Sequence, residues 1–137
     1  MKLVDSKGPG TDDGAPHVLV VEDYVELGGA LVRWLERRKV PSLQVANAGA
    51  ALLQLEARTI SVVVSDLDMP GRDGLSLLGE VARRWPRTLR VLWTGHANSD
   101  LILNGQGIRV LSKSLDIGLV VDTLVGLHRS FQHGPEV

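Results

Sequence analysis

The chain has 137 residues, the length of one domain and too short for two. Hydrophobic residues make up 44% and charged residues 23%, which excludes a disordered chain, and no apolar run nears the ~20 residues that span a bilayer. With no cysteine, disulfides and thiolate chemistry are ruled out; a net charge of -1 and 4% aromatics offer neither bulk attraction to nucleic acid nor a base-stacking platform.

Residues 1–16 are rich in Gly, Asp, Ser and Pro and show no hydrophobic period, so they are expected to form a flexible tail. They contain no apolar signal core, and a cytoplasmic location is expected. Val18-Leu19-Val20-Val21 is a short, β-branched run, as in a strand buried on both faces. Residues 24–39 follow with Leu27, Leu31, Trp34 and Leu35 at helical spacing, and Pro41 stops that helix. A weaker strand over 43–46 leads to Asn47, the predicted N-cap of a helix carrying Ala51, Leu52 and Leu55.

Residues 60–65, with Val62-Val63-Val64, give the strongest strand signal. After Pro70-Gly71, a helix over 74–84 is expected to bury Leu75, Leu78, Val81 and Ala82. A strand is predicted over 89–93, a shortened or irregular helix over 97–103, and a fifth strand over 108–111. A last helix over 115–129 places Ile117, Val120, Val121, Leu124 and Leu127 inward. Strict strand–helix alternation implies an α/β fold: a flavodoxin-like, doubly wound, five-stranded parallel sheet of order 2-1-3-4-5. The domain is expected to occupy residues 17–130, with a short tail over 131–137.

Such a sheet carries its functional residues beyond the carboxyl ends of its strands. There the sequence places Glu22 and Asp23 after the first strand, Asp66 and Asp68 after the third, Thr94 at the end of the fourth and Lys113 after the fifth. Each has an ordinary structural explanation. Asp23 could cap the first helix, Asp66 could satisfy turn donors, Thr94 could be a plain strand residue and Lys113 a solvated charge. Their convergence on one rim argues for chemistry. Clustered carboxylates repel unless a cation joins them, and an all-oxygen donor set suits a hard divalent ion, Mg²⁺ above all. Beside an ammonium and a hydroxyl, that arrangement suits phosphoryl transfer to a carboxylate.

Glu22-Asp23, the stretch SDLDMPGRDG around Asp66, Thr94 in LWTGH, and Lys113 resemble the receiver domain of two-component response regulators (the CheY-like superfamily). The likeness runs over about 18–129. It implies that Asp66 is the phosphoacceptor and that Glu22, Asp23, Asp66 and the main-chain carbonyl of Asp68 hold Mg²⁺. It also implies that Lys113 binds phosphoryl oxygens and that Thr94 turns toward them after transfer. The donor would be a phosphohistidine on a sensor histidine kinase or a histidine phosphotransfer protein. Asp68 and His96 stand where the family tunes phosphate lifetime, and Arg33 and Arg37 lie on its kinase-docking helix. The expected activity is signalling in a phosphorelay, without enzymatic turnover and without direct nucleic-acid or membrane binding.

Three positions depart from the family pattern. Ser114 replaces the proline after the lysine, where a cis bond before a non-proline costs about 2.5–4 kcal/mol, so Lys113 is expected to be less firmly placed. Val110 replaces the aromatic residue that reports switching, which implicates it in an altered contact surface. Asn104-Gly105-Gln106-Gly107 disfavours a full helix before the fifth strand. These changes leave open an interaction module that signals without phosphate. Asp66-Leu67-Asp68 also reads as the D-x-D of haloacid-dehalogenase-type phosphohydrolases, though it follows the third strand rather than the first.

Overall fold

The computed structural model describes residues 14–95 and 107–134. Among the described residues, five strands and four helices follow in chain order: β1 (His17–Val21), α1 (Val25–Arg37), β2 (Ser42–Val45), α2 (Ala48–Ala57), β3 (Ile60–Ser65), α3 (Gly74–Arg84), β4 (Leu89–Thr94), β5 (Ile108–Ser112) and α4 (Ile117–His133). All neighbouring strands run parallel in the order β2-β1-β3-β4-β5. The helix expected over 97–103 and the residue His96 lie outside the described residues.

Because successive strand residues point to opposite faces, each central strand feeds two cores. Val18, Val20, Val62, Val64, Val91, Trp93 and Leu111 pack on one side with Leu31 and Leu35 of α1 and with Val120, Val121, Leu124 and Val125 of α4. Leu19, Val21, Val63, Leu92 and Ile108 pack on the other with Ala51 and Leu55 of α2 and with Leu77, Leu78 and Val81 of α3. Burial on both faces explains why β1 and β3 read as unbroken apolar runs.

Several local expectations meet corrections. Asn47 caps α2 as predicted, its side chain accepting from the Ala50 amide at 2.8 Å. In α3 the inward stripe is Gly74, Leu77, Leu78 and Val81, while Leu75 is exposed and Ala82 only half-buried. The Asp73 cap sets the helix start, and from there Leu75 falls off the i, i+3, i+4 face. In α1, Trp34 lies at the surface, stacked under the Arg37 guanidinium at 5.9 Å, and Leu27 is half-buried. The last helix runs past residue 129 into the expected tail, because Phe131 gains a stacking partner in Arg87 at 4.9 Å. Gly134, at φ +72°, ends it.

Candidate functional site

The site is carried by ladder bonds that continue one residue past each strand. The Glu22 amide donates to the Val45 carbonyl and the Asp66 amide to the Val21 carbonyl, both at 3.0 Å. The Lys113 amide donates to the Thr94 carbonyl at 2.9 Å. Backbone register therefore holds Glu22, Asp66 and Lys113 side by side before any side-chain contact is made. Gln44 adds a bond from its side-chain amide to the Glu22 carbonyl at 3.0 Å. The loop after β3 folds back so closely that a Cβ at Gly74 would overlap the Asp66 carbonyl oxygen. This close approach is why a glycine opens α3.

Glu22, Asp66 and Thr94 are buried, Asp23 is exposed, and Lys113 is half-buried. Asp23 does not cap α1: the cap residue is Tyr24, with no side-chain capping bond. The structural explanation for Asp23 thus falls away, and its carboxylate joins those of Glu22 and Asp66. One oxygen from each of the three lies within 4.8 Å of the others. Asp68 follows on the loop with its side chain exposed.

Lys113 Nζ lies 2.8 Å from Glu22 Oε1 and 3.1 Å from Asp66 Oδ1. With Ser114 following it, Lys113 still reaches both carboxylates. None of the described peptide bonds is cis. Ser114 instead ties the turn to Ser112: its amide donates to Ser112 Oγ at 3.1 Å, and the two hydroxyls meet at 2.7 Å. Val110 is half-buried against the core shared with α2 and α3. Arg33 and Arg37 are exposed on α1.

Burial raises the Glu22 carboxyl above its ordinary range, despite the lowering influence of Lys113 and the Tyr24 amide; the Asp66 charge adds to the rise. Burial alone would lower the Lys113 ammonium, but Glu22 and Asp66 outweigh it and hold the group charged to higher pH. At 2.8 Å the buried Glu22 carboxylate and the Lys113 ammonium form a close, charge-assisted contact. Three carboxylates face one ammonium, leaving two negative charges uncompensated. An all-oxygen set with that deficit fits a hard divalent cation.

Residues 18–123 match the family described as the response regulator receiver domain. The chain belongs to that family. This receiver domain is 36% identical over 88 residues to the hydrogenase transcriptional regulatory protein HoxA of Cupriavidus necator, covering 64% of this chain and 18% of that protein. It is 30% identical over 120 residues to the DNA-binding transcriptional regulator NtrC of Proteus hauseri, covering 85% of this chain and 25% of that protein. The match thus spans a quarter or less of these relatives.

Among solved structures, the receiver domain resembles that of an HD domain-containing protein from Pseudomonas fluorescens (TM-score 0.77, 27% identity, 88% of this chain and 91% of that one). It also resembles the response regulator TrrA of Thermotoga maritima in complex with Mg²⁺-BeF (TM-score 0.74, 21% identity, 82% of this chain and 98% of that one), a likeness of fold. No helix among the described residues is long and apolar enough to cross a membrane.

Of the site residues read from the sequence, Glu22, Asp23, Asp66 and Lys113 come together, Thr94 adjoins Lys113 through its carbonyl, Asp68 lies on the neighbouring loop, and Arg33, Arg37 and Val110 lie outside the cluster. What the sequence reading missed is Trp93. Its ring centroid lies 5.4 Å from Lys113 Nζ, and it is buried beside the site. The signal was present in the tripeptide Trp93-Thr94-Gly95, but its meaning depends on the register between β4 and β5.

Proposed function

We propose that this receiver domain accepts a phosphoryl group on Asp66 from a phosphohistidine donor, on a sensor histidine kinase or a histidine phosphotransfer protein. The observation that carries this reading is Lys113 Nζ spanning Glu22 and Asp66 at 2.8 and 3.1 Å, next to a carboxylate cluster two positive charges short of balance. Glu22, Asp23 and Asp66 would hold Mg²⁺, together with the main-chain carbonyl of Asp68. When bound, Mg²⁺ supplies charge neutralisation for the carboxylates and the incoming phosphoryl oxygens. That TrrA was solved with Mg²⁺-BeF supports the same ligand class here.

An Asp66 carboxylate oxygen attacks phosphorus in line as the phosphorus–nitrogen bond to the donor imidazole breaks. The imidazole leaves with the electron pair and takes a proton from solvent. Lys113 would stabilise the equatorial oxygens, and the Thr94 hydroxyl would turn toward them after transfer. Asp68 and His96 would tune the lifetime of the acyl phosphate, and Arg33 and Arg37 would face the donor protein. With Val110 in the aromatic position, the output surface differs from the family pattern.

Incubation with Mg²⁺ and acetyl phosphate should add one phosphoryl group by intact mass, and Asp66→Asn should add none. A wild-type protein that stays unmodified and binds no beryllofluoride would overturn the proposal. Partner binding of equal strength in wild type and Asp66→Ala would favour phosphate-independent signalling. Turnover of a phosphoester beyond one equivalent would favour the phosphohydrolase reading.

A further inference from the structure

We infer that Trp93 is a positioning residue for Lys113, holding the ammonium at the phosphoryl site through its indole face; this rests on the phosphoacceptor reading of Asp66. Trp93 is the penultimate residue of β4, lies in that strand's buried half, pairs in register with Leu111, and packs on the same side of the sheet, against α1 and α4. Side chains two apart on a strand share a face, so Lys113 continues the Leu111 row and meets Trp93 as its diagonal cross-strand neighbour. The resulting separation, 5.4 Å from Nζ to the ring centroid, is within cation–π range.

Two features make this contact more than packing. Trp93 Nε1 is buried with no hydrogen-bond partner among the described residues, so no hydrogen bond among them fixes the ring's orientation. The other two neighbours of the ammonium, Glu22 and Asp66, both belong to the proposed cation-binding set. When those carboxylates turn to a divalent cation, their hold on Lys113 weakens. The indole is the neighbour that binds no metal, so it keeps the ammonium in place for the phosphoryl oxygens. With Ser114 in place of a stiffening proline after the lysine, a side-chain restraint carries more of this task.

The contact predicts a split between two affinities. Lys113 is not in the cation-binding set, so loss of the indole should spare Mg²⁺ binding and weaken binding of a phosphoryl mimic. In calorimetric titrations, Trp93→Leu should bind Mg²⁺ with wild-type affinity. At saturating Mg²⁺ it should bind beryllofluoride about fivefold more weakly by ¹⁹F NMR, and Trp93→Phe, which keeps a ring face, should recover most of that loss. A protein with Trp34→Phe and Trp85→Phe leaves Trp93 as the one emitter; its fluorescence should change when beryllofluoride is added to the Mg²⁺-loaded protein. This readout needs no substitution at Trp93 and stands even where Trp93→Leu folds poorly.

Equal beryllofluoride affinity in wild type and Trp93→Leu would overturn the inference alone, as would silent Trp93 emission on binding. So would a parallel loss of Mg²⁺ affinity, which would mark general damage to the site. A wild-type protein that binds no beryllofluoride would overturn the phosphoacceptor reading, and this inference with it.

Discussion

The two ends of the sheet treat charge in opposite ways. At the amino-terminal end and the outer helix surfaces, arginines pair with carboxylates close to solvent. Arg84 reaches both Glu56 and Glu80 at 2.7 Å, and Arg38 meets Asp122 at 2.7 Å. At the carboxyl rim, three carboxylates face a single lysine, and two of those carboxylates are buried. Exposed pairs of the first kind are worth little and commit the protein to nothing. At the rim, burial disfavours the charged form of Glu22, and a bound divalent cation would offset that. A cavity of about 640 Å³ lies at the matched end, lined by Arg58, Trp85 and Phe131 among others, so size of opening is a poor guide to the reactive site.

That contrast can be broken in order of expected effect. Lys113→Ala removes the ammonium that contacts Glu22 and Asp66. Phosphorylation by acetyl phosphate should slow about 100-fold or more, while Mg²⁺ should bind no more weakly, because a repelling charge is gone. Parallel measurements of rate and of Mg²⁺ affinity separate these effects; an unchanged rate would show that the lysine takes no part.

Glu22→Gln tests the stored cost. Mg²⁺ affinity should fall about tenfold or more. Metal-free stability in urea should stay level or rise by up to about 1 kcal/mol, because the ionised carboxyl is disfavoured by burial. A clear loss of metal-free stability would mean that the rim is structural.

A smaller effect concerns the matched end. Buried His128, bonded to Ser61 Oγ at 2.7 Å, is held below its ordinary pKa by burial and by the neighbouring His17 and Arg129. The unfolded chain binds this proton near pH 6.5 and the folded one only at lower pH. Stability should therefore fall as pH drops through that value. Thermal melts from pH 7.5 to 5 should show the fall, and His128→Asn should flatten it. A wild-type curve as flat as the variant's would contradict the assignment. Smallest of all, Arg84→Ala should barely move the melting temperature and leave phosphorylation untouched, because its ion pairs are solvent-screened.

Much of this was legible beforehand. The runs in β1 and β3, the Asn47 cap and the alternation of elements gave the sheet and its order, because burial on both faces leaves an unbroken apolar signature. The rim residues were legible because chain connectivity places all strand ends on one side. Facing within helices was less so: Leu75 and Trp34 carry apolar side chains that propensity alone assigns inward, and only the helix start decides. The Trp93–Lys113 contact lay beyond reading along the chain, since it depends on pairing Trp93 with Leu111 across strands. The contacts that hold Lys113 lay out of sight for the same reason: its amide bonds across to Thr94 and its ammonium to Glu22 and Asp66, all at the ends of other strands.

The central claim is that Asp66 carries the phosphoryl group. Borohydride converts an aspartyl phosphate to homoserine, which peptide mass mapping locates in the chain. After treatment with acetyl phosphate and Mg²⁺, homoserine should appear at position 66 alone, and it should vanish when Mg²⁺ is chelated beforehand. Conversion at Asp23 or Asp68, or at no position, would contradict the account.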